Sequence, residues 1–467
     1  MRNRPWWLLT LLFETLIGPA FAEEWVIRNV AVVDVERGGL VQAQTVVVKD
    51  GRIHAVGSGA SIRASDSARV VDGEGAFLLP ALWDMHFHPW RVEDLTLFVA
   101  NGIGGARIMA GAPEHLAWRA RIELGELLGP RLLIAGPIIE GPPPPELANV
   151  VDTDDRRLIK SAAEARAEVR RQKAAGFDYI KVYNNLPADA YRAIADEARR
   201  EHMPVVGHVP FQVGLAGVLE ARQASIEHLR GYVERLVPDG SPIQPGVDLR
   251  SRVLAWEYAD PARMPELARL TLKAGAWQCP TLSTRLYHSP QADIESYLAM
   301  PEAEFLTQGN RAMLLNRHEV KWLSNFSAAD FQRAGLGDAR QDLFVRELHS
   351  AGVPLLAGTD LGPAGFSLHG ELERLVDAGL SPHEVLRSAT LSPARFARLE
   401  EEVGRIAAGY SADFILLDAN PLEHIRNTRK IRAVIVRGRY LDRAALDELL
   451  SKVKMQYAGK PGAAETD

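Results

Sequence analysis

Short apolar runs recur through this sequence, and five of them end in, or enclose, a residue that binds metals or moves protons. The first is Ala76-Phe77-Leu78-Leu79-Pro80-Ala81-Leu82-Trp83, leading into Asp84-Met85-His86-Phe87-His88. A run of this kind reads as a buried strand. His86 and His88, two residues apart, then point to one face, so both imidazoles can reach one cation. Among 13 histidines that spacing alone says little; the later runs give it weight. Tyr179-Ile180-Lys181-Val182-Tyr183 encloses a lysine, and Pro204-Val205-Val206-Gly207-His208 and Ser225-Ile226-Glu227-His228 end in histidine. Val353-Pro354-Leu355-Leu356-Ala357-Gly358-Thr359-Asp360 ends in aspartate.

The middle of the chain alternates strands and helices. Strands are predicted at 77–86, 104–109, 131–135, 179–183, 204–209, 225–229, 277–283 and 354–360, with helices over 162–175 and 188–201. In the second helix Tyr191, Ile194, Ala195 and Ala198 share a face. Eight such units read as an α/β fold of the (β/α)8 or TIM-barrel type, which places active residues at the C-terminal ends of its strands. The connections after strands six and seven are long, on the order of 50 and 70 residues, a length typical of functional loops or subdomains. Both chain ends are strand-rich instead. Lys49-Asp50-Gly51-Arg52 between alternating segments marks a hairpin, and 412–417 and 433–438 read as strands around Gly turns.

The ordered set His-x-His, Lys, His, His, Asp resembles the metal-dependent amidohydrolase superfamily, in its imidazolonepropionase-like and Xaa-Pro dipeptidase (prolidase)-like branch. The resemblance covers about Glu23 to Leu441. It implies a small β-sandwich made from both ends (23–76 and 400–445) beside a barrel at 77–399, followed by a C-terminal helix and tail over 446–467. It implies two divalent metal ions, zinc first, with manganese, iron or cobalt also suited to such ligands. His86, His88, Lys181 and Asp360 would hold the inner ion; Lys181, as a carbamate formed with carbon dioxide, would bridge to an outer ion held by His208 and His228. Asp360 would also be the general base. The activity implied is hydrolysis of C–N bonds in dipeptides or N-acyl amino acids. Lactones, carbamates or phosphotriesters at the same site are an alternative, and a silent binding or structural relative is another. A homo-oligomer follows by analogy alone.

Other residues carry two readings each. Tyr183, two past Lys181, faces substrate or packs. Arg230, two past His228, pairs with a substrate carboxylate or lies at the surface. His369 sits where related sequences often have a histidine, but Gly370 takes the place of the charged residue that usually follows. Thr359 orients Asp360 or caps a turn. Gly141-Pro142-Pro143-Pro144-Pro145 is a stiff loop, either pocket wall or spacer.

Net charge is -6, and there is no basic run of the kind that binds nucleic acid. The single cysteine, Cys279, excludes an intramolecular disulfide and reads as a buried hydrophobe. Arg2 and Arg4, the apolar stretch Trp6 to Ile17, and Ala20-Phe21-Ala22 read as an export signal cut after Ala22. The mature protein is thus expected in the periplasm or outside the cell, without a membrane span. The tail from about Tyr457 has no apolar pattern and is expected to be disordered.

Overall fold

The computed structural model describes residues 24–59, 62–142, 151–320 and 322–459. Residues 1–22, read above as an export signal, Pro143 to Pro145 and the tail beyond 459 lie outside them. The fold is α/β. No described helix is long and apolar enough to cross a membrane.

One eight-stranded sheet joins the two ends of the chain. Its order is Arg439–Asp442, Ile431–Val436, Phe414–Leu417, Phe77–Pro80, Trp25–Asp34, Gly39–Lys49 and Arg52–Ser58, with Arg69–Asp72 also pairing to Trp25–Asp34. The hairpin at Asp50-Gly51 has both residues at positive φ, 51° and 72°, the twist a two-residue turn requires. The sheet curls until Arg52 bridges Ser411. Ile27, Val46, Val48, Leu78, Phe414 and Ile435 fill the space it encloses.

The apolar run predicted as one strand over 77–86 is two. Phe77–Pro80 pairs with Phe414–Leu417 in the composite sheet, and the chain then crosses into a second sheet as β1 (Leu82–Phe87). Ala81 donates to Asp413 O at the crossing. Parallel strands follow: β2 (Ile103–Ile108), β3 (Arg131–Ile134), β4 (Ile180–Val182), β5 (Val205–Gly207), β6 (Ser225–Glu227) and β7 (Trp277–Cys279). β1, β2 and β3 form one sheet, and β4 to β7 run in order in another. Three parallel bridges join them: Ala135 to Tyr179, Gln278 to Leu355, and Phe87 to Asp360. Followed in turn, these pairings lead from β1 round through segment 354–360 and back to β1.

Side chains alternate across this circuit. Leu82, Ile108, Ile180, Val182 and Ile226 face outward into the largest apolar core, under the surrounding helices. Arg107, Lys181 and Glu227, all fully buried, carry polar groups on the other face, where Glu227 meets His86. The helices α1 (Glu93–Ala100), α2 (Ala162–Ala175), α3 (Ala188–Arg200), α4 (Ala328–Ser350), α5 (Phe366–Asp377) and α6 (Arg443–Gly459) include the two expected from the sequence. α2 starts where Ser161 accepts from Glu164 N and stops at Gly176 with φ 90°, so both ends are set locally. The long connections are largely helical. Val253, Tyr287, Ile294, Leu314, Leu323, Phe326 and Phe331 give them an apolar cluster of their own.

α6 runs past the point where the sequence shows no apolar pattern. Tyr457 is buried, and its hydroxyl donates to Asp94 Oδ1 at 2.5 Å. Asp94 Oδ2 in turn accepts from the backbone N–H groups of Trp90 and Arg91, just after His88.

Candidate active site

The residues named from the sequence as ligands come together at one end of the circuit. His86 Nε2 and His88 Nε2 lie 3.2 and 3.1 Å from Asp360 Oδ1, and His228 Nδ1 lies 4.0 Å from Oδ2. The His86 and His228 rings are 4.6 Å apart, and those of His208 and His228 are 5.0 Å apart. Lys181 projects from β4 into the same space, where the charges of Glu227 and Asp360 reach it.

Local backbone makes this convergence possible. His228 (φ 59°) and Asp360 (φ 67°) are in the left-handed region, which is uncommon for residues with a side chain. Gly207 leaves room for Lys181: a Cβ there would stand 2.9 Å from Lys181 Cδ and 2.4 Å from Val182 O. At Gly358 a Cβ would meet Cys279 Sγ at 2.6 Å and His86 N at 2.7 Å.

Each histidine also has a partner that orients it. His86 Nδ1 bonds Glu227 Oε2 at 2.8 Å, and Glu227 also accepts from both Arg107 and Ser225. His208 Nδ1 lies 2.8 Å from Asn184 Oδ1. His228 Nδ1 is 2.6 Å from Thr281 Oγ1, whose own proton goes to Pro280 O. Carboxylate, amide oxygen and committed hydroxyl are all acceptors, so each Nδ1 donates, and Nε2 is the nitrogen left to face a cation. His86 Nε2 is fully buried and has no hydrogen-bond partner.

Electrostatics favour neutral imidazoles. Burial lowers His88, His208 and His228 below the usual range, and Lys181 and Arg230 push His208 and His228 further down. Burial pulls the Lys181 ammonium down to about 8, against Glu227 and Asp360, which raise it. Burial alone would raise Asp360, but its contacts with His228, His86 and His88 outweigh it and hold the carboxylate well below its usual range. The cluster therefore offers neutral nitrogens and an anionic oxygen around a buried orphan atom, which is the donor chemistry a divalent cation needs. His86, His228 and Asp360 bring one ligand atom each within 4.8 Å of one another.

Tyr183 stacks on His208, ring centroids 4.1 Å apart, at the mouth of the cluster. Arg230 is half-buried beside His208 and His228. His369 lies elsewhere: Nδ1 bonds Thr428 Oγ1 and Nε2 bonds Asn101 O, so neither nitrogen is free for a substrate. Thr359 gives its hydroxyl to Asp84 Oδ2 at 2.7 Å, not to Asp360. Asp84, Glu227, Arg107, Asn184 and Thr281 are absent from the residues named from sequence. A charge inside a short apolar run was the signal for the first three.

Residues 77–441 match the amidohydrolase family. The chain belongs to that family. This amidohydrolase is 25% identical to an adenine deaminase of Mesorhizobium japonicum over 89% of its own length, but spans only 57% of that protein. It is 24% identical to an imidazolonepropionase of Anaeromyxobacter sp. strain K, covering 90% of this chain and 96% of the relative. It also superposes on a Xaa-Pro dipeptidase solved with methionine in its active site, with a TM-score of 0.66, 19% identity, and coverage of 90% and 100%. As a member of that family it is an enzyme that hydrolyses carbon–nitrogen bonds, and the imidazolonepropionase and the Xaa-Pro dipeptidase are among the proteins it resembles.

Proposed function

We propose that this amidohydrolase is an exported, metal-dependent enzyme that hydrolyses the amide bond of dipeptides or N-acyl amino acids. The observation that carries the metal reading is the buried convergence of His86 Nε2 and His88 Nε2 on Asp360 Oδ1, 3.2 and 3.1 Å away, with the His228 ring beside them. The pairings that lead from β1 back to β1 support a closed TIM barrel, and the curled composite sheet supports a sandwich beside it. An amino acid held in the active site of the dipeptidase relative supports an amino acid as one product. Export rests on the sequence of residues 1–22, and the periplasm or exterior is the proposed location.

His86, His88, Lys181 and Asp360 would hold an inner divalent ion, and Lys181, His208 and His228 an outer one. Zinc fits both sets; manganese, iron and cobalt suit the same donors. Such ions supply Lewis acidity and bring the ionisation of water near neutral pH. Lys181, with its ammonium lowered to about 8, exposes enough free amine to take up carbon dioxide, releasing one proton and forming a carbamate. Asp360 accepts the proton of the attacking water and delivers it to the leaving nitrogen; ionised and partly exposed, it is placed for both.

Elemental analysis of the purified chain, grown with added zinc or manganese and bicarbonate, tests this reading. About two ions per chain are expected, with Lys181→Ala losing at least one. One ion per chain would remove the bridging role of Lys181; none after reconstitution would overturn the metal reading.

A further inference from the structure

A narrow cleft is walled by His88 and Asp360 but not by His208 or His228. Trp90 and Leu361 line it from the segments that follow those two residues, and Phe305 and Asn310 line it from the long connection after β7. Trp90 is half-exposed, with its ring nearly parallel to that of His88, 6.4 Å away. Phe305 stacks on Phe366 of α5, ring centroids 4.9 Å apart, which fixes that wall.

Asn310 lies in the first turn of the helix Gln308–Leu315, where its N–H donates to Thr307 Oγ1 at 3.1 Å. Three asparagines are buried among the described residues. Asn101 gives its amide to Leu97 O, and Asn420 uses both ends of its own, on Glu423 and on Leu422 N. The Asn310 side chain makes no hydrogen bond among the described residues, although the residue is only 8% exposed and faces the cleft. An amide carries both donors and an acceptor, and burying it unpaired is costly, so its natural complement is another amide.

Charge narrows the choice. No lysine or arginine lines the cleft, and both of its acids are committed. Asp94 accepts from Tyr457 and from the N–H groups of Trp90 and Arg91, and Asp360 meets His86 and His88. Glu302 and Glu304, just before Phe305, pair with Arg429 and Lys454. A carboxylate here finds no guanidinium or ammonium, and an ammonium finds no free acid. In a dipeptide or an N-acyl amino acid the carboxylate belongs to the amine half, so the half that fits is the acyl half, uncharged.

We propose that this cleft holds the acyl half of the substrate, with Asn310 bonding an amide within it and Trp90 covering its apolar body, so that the enzyme selects N-acylated dipeptides over dipeptides with a free amino group. This rests on the hydrolytic reading above and names what that site selects. Asn310 and Trp90 are thereby specificity-determining residues, supplied by two separate connections.

Three leucine compounds test it: N-acetyl-phenylalanyl-leucine with a second amide, hydrocinnamoyl-leucine with none, and phenylalanyl-leucine with an ammonium. For release of leucine by the metal-loaded wild type, kcat/KM for the acetylated compound should exceed that for hydrocinnamoyl-leucine by about 5-fold. It should exceed that for the free dipeptide by roughly 10-fold or more. In Asn310→Leu the first ratio should fall toward one through KM. In Asn310→Asp preference should turn toward the free dipeptide, because the new carboxylate pairs with its ammonium, a change that a purely structural asparagine does not produce. Trp90→Ala should reduce the advantage of hydrocinnamoyl-leucine over N-acetyl-leucine. Circular dichroism and metal content establish that the variants are folded. Equal turnover of the free and acetylated dipeptides by the wild type, or an unchanged first ratio in Asn310→Leu, overturns the proposal. Calorimetric titration of the same compounds into Asp360→Asn separates the two readings. Preferential binding of the acetylated compound that Asn310→Leu abolishes, with no amide hydrolysed by the wild type, leaves the acyl cleft standing and removes the hydrolytic reading. Hydrolysis without that preference does the reverse, and absence of the preference from both binding and turnover overturns the acyl cleft.

Discussion

At Asp360 the backbone is left-handed, its N–H is held 2.6 Å from His86 O, and its carboxylate meets two imidazoles. A non-glycine residue in that conformation costs roughly 1–3 kcal/mol, which the surrounding structure must offset. Asp360→Asn keeps the shape and removes the base. Turnover should fall by about 10²- to 10⁴-fold while metal content changes little; rates near wild type would take the proton-transfer role away from Asp360. Glu227→Gln tests the layer behind. It leaves Arg107 buried with half its pairing lost, so thermal or urea unfolding should report a loss of about 3–5 kcal/mol. Metal affinity should also weaken, by roughly 10- to 100-fold, as His86 loses its anionic partner. The six residues named as ligands stood out because each is an odd polar residue of an apolar run, Lys181 inside its run and the others at or near the end of theirs. Glu227 and Arg107 carried the same sign but sit mid-run, and only their meeting across the circuit gives them a purpose. His369 misled because its position relative to Asp360 in sequence says nothing about the Asn101 and Thr428 contacts that claim its ring.

Among elements, α6 is the one whose reach the sequence understated. Its side chains show no sustained apolar stripe near the end, yet Tyr457 closes over α1 and fixes Asp94, which fixes the loop after His88. Burial raises Asp94 to about 6, more than the bonds from Tyr457, Arg91 and Trp90 lower it. Between about pH 4 and 6 the folded chain therefore holds a proton that the unfolded chain has lost, so this group makes stability fall as pH rises through that window. The loss amounts to about 3 kcal/mol. Asp94→Asn should flatten that slope relative to wild type in urea denaturation at pH 4, 5, 6 and 7; an identical slope would show that Asp94 titrates normally. Tyr457→Phe should cost about 1–3 kcal/mol and raise amide exchange at Trp90 and Arg91. The split of 77–86 into two strands was equally hidden, since both halves are apolar and only pairing partners far along the chain tell them apart.

On the scale of the whole molecule, two composite structures share the chain, and each is completed by its distal end. The alternation of strands and helices, and the strand-rich ends, were readable because periodicity is local; the curl of the composite sheet and the helical filling of the long connections depend on contacts that no local pattern encodes. If divalent ions bind only the folded site, excess zinc should raise the unfolding free energy, by about 2.7 kcal/mol at one hundred times its dissociation constant, and chelation should reverse it. A melting temperature indifferent to zinc would mean that the site does not hold it. The circuit joins at Asp84 and Thr359, 275 residues apart, and at the bridge from Phe87 to Asp360. Contacts of such separation are slow to form, because chain entropy is lost before they repay it. The enzyme's reactive centre is thus located on the seam that a nascent or refolding chain must seal across its whole length, and a half-made molecule has no place to hold an ion. Cation uptake followed in real time during refolding would then mark the arrival of the native topology, and no productive but incomplete enzyme would precede it.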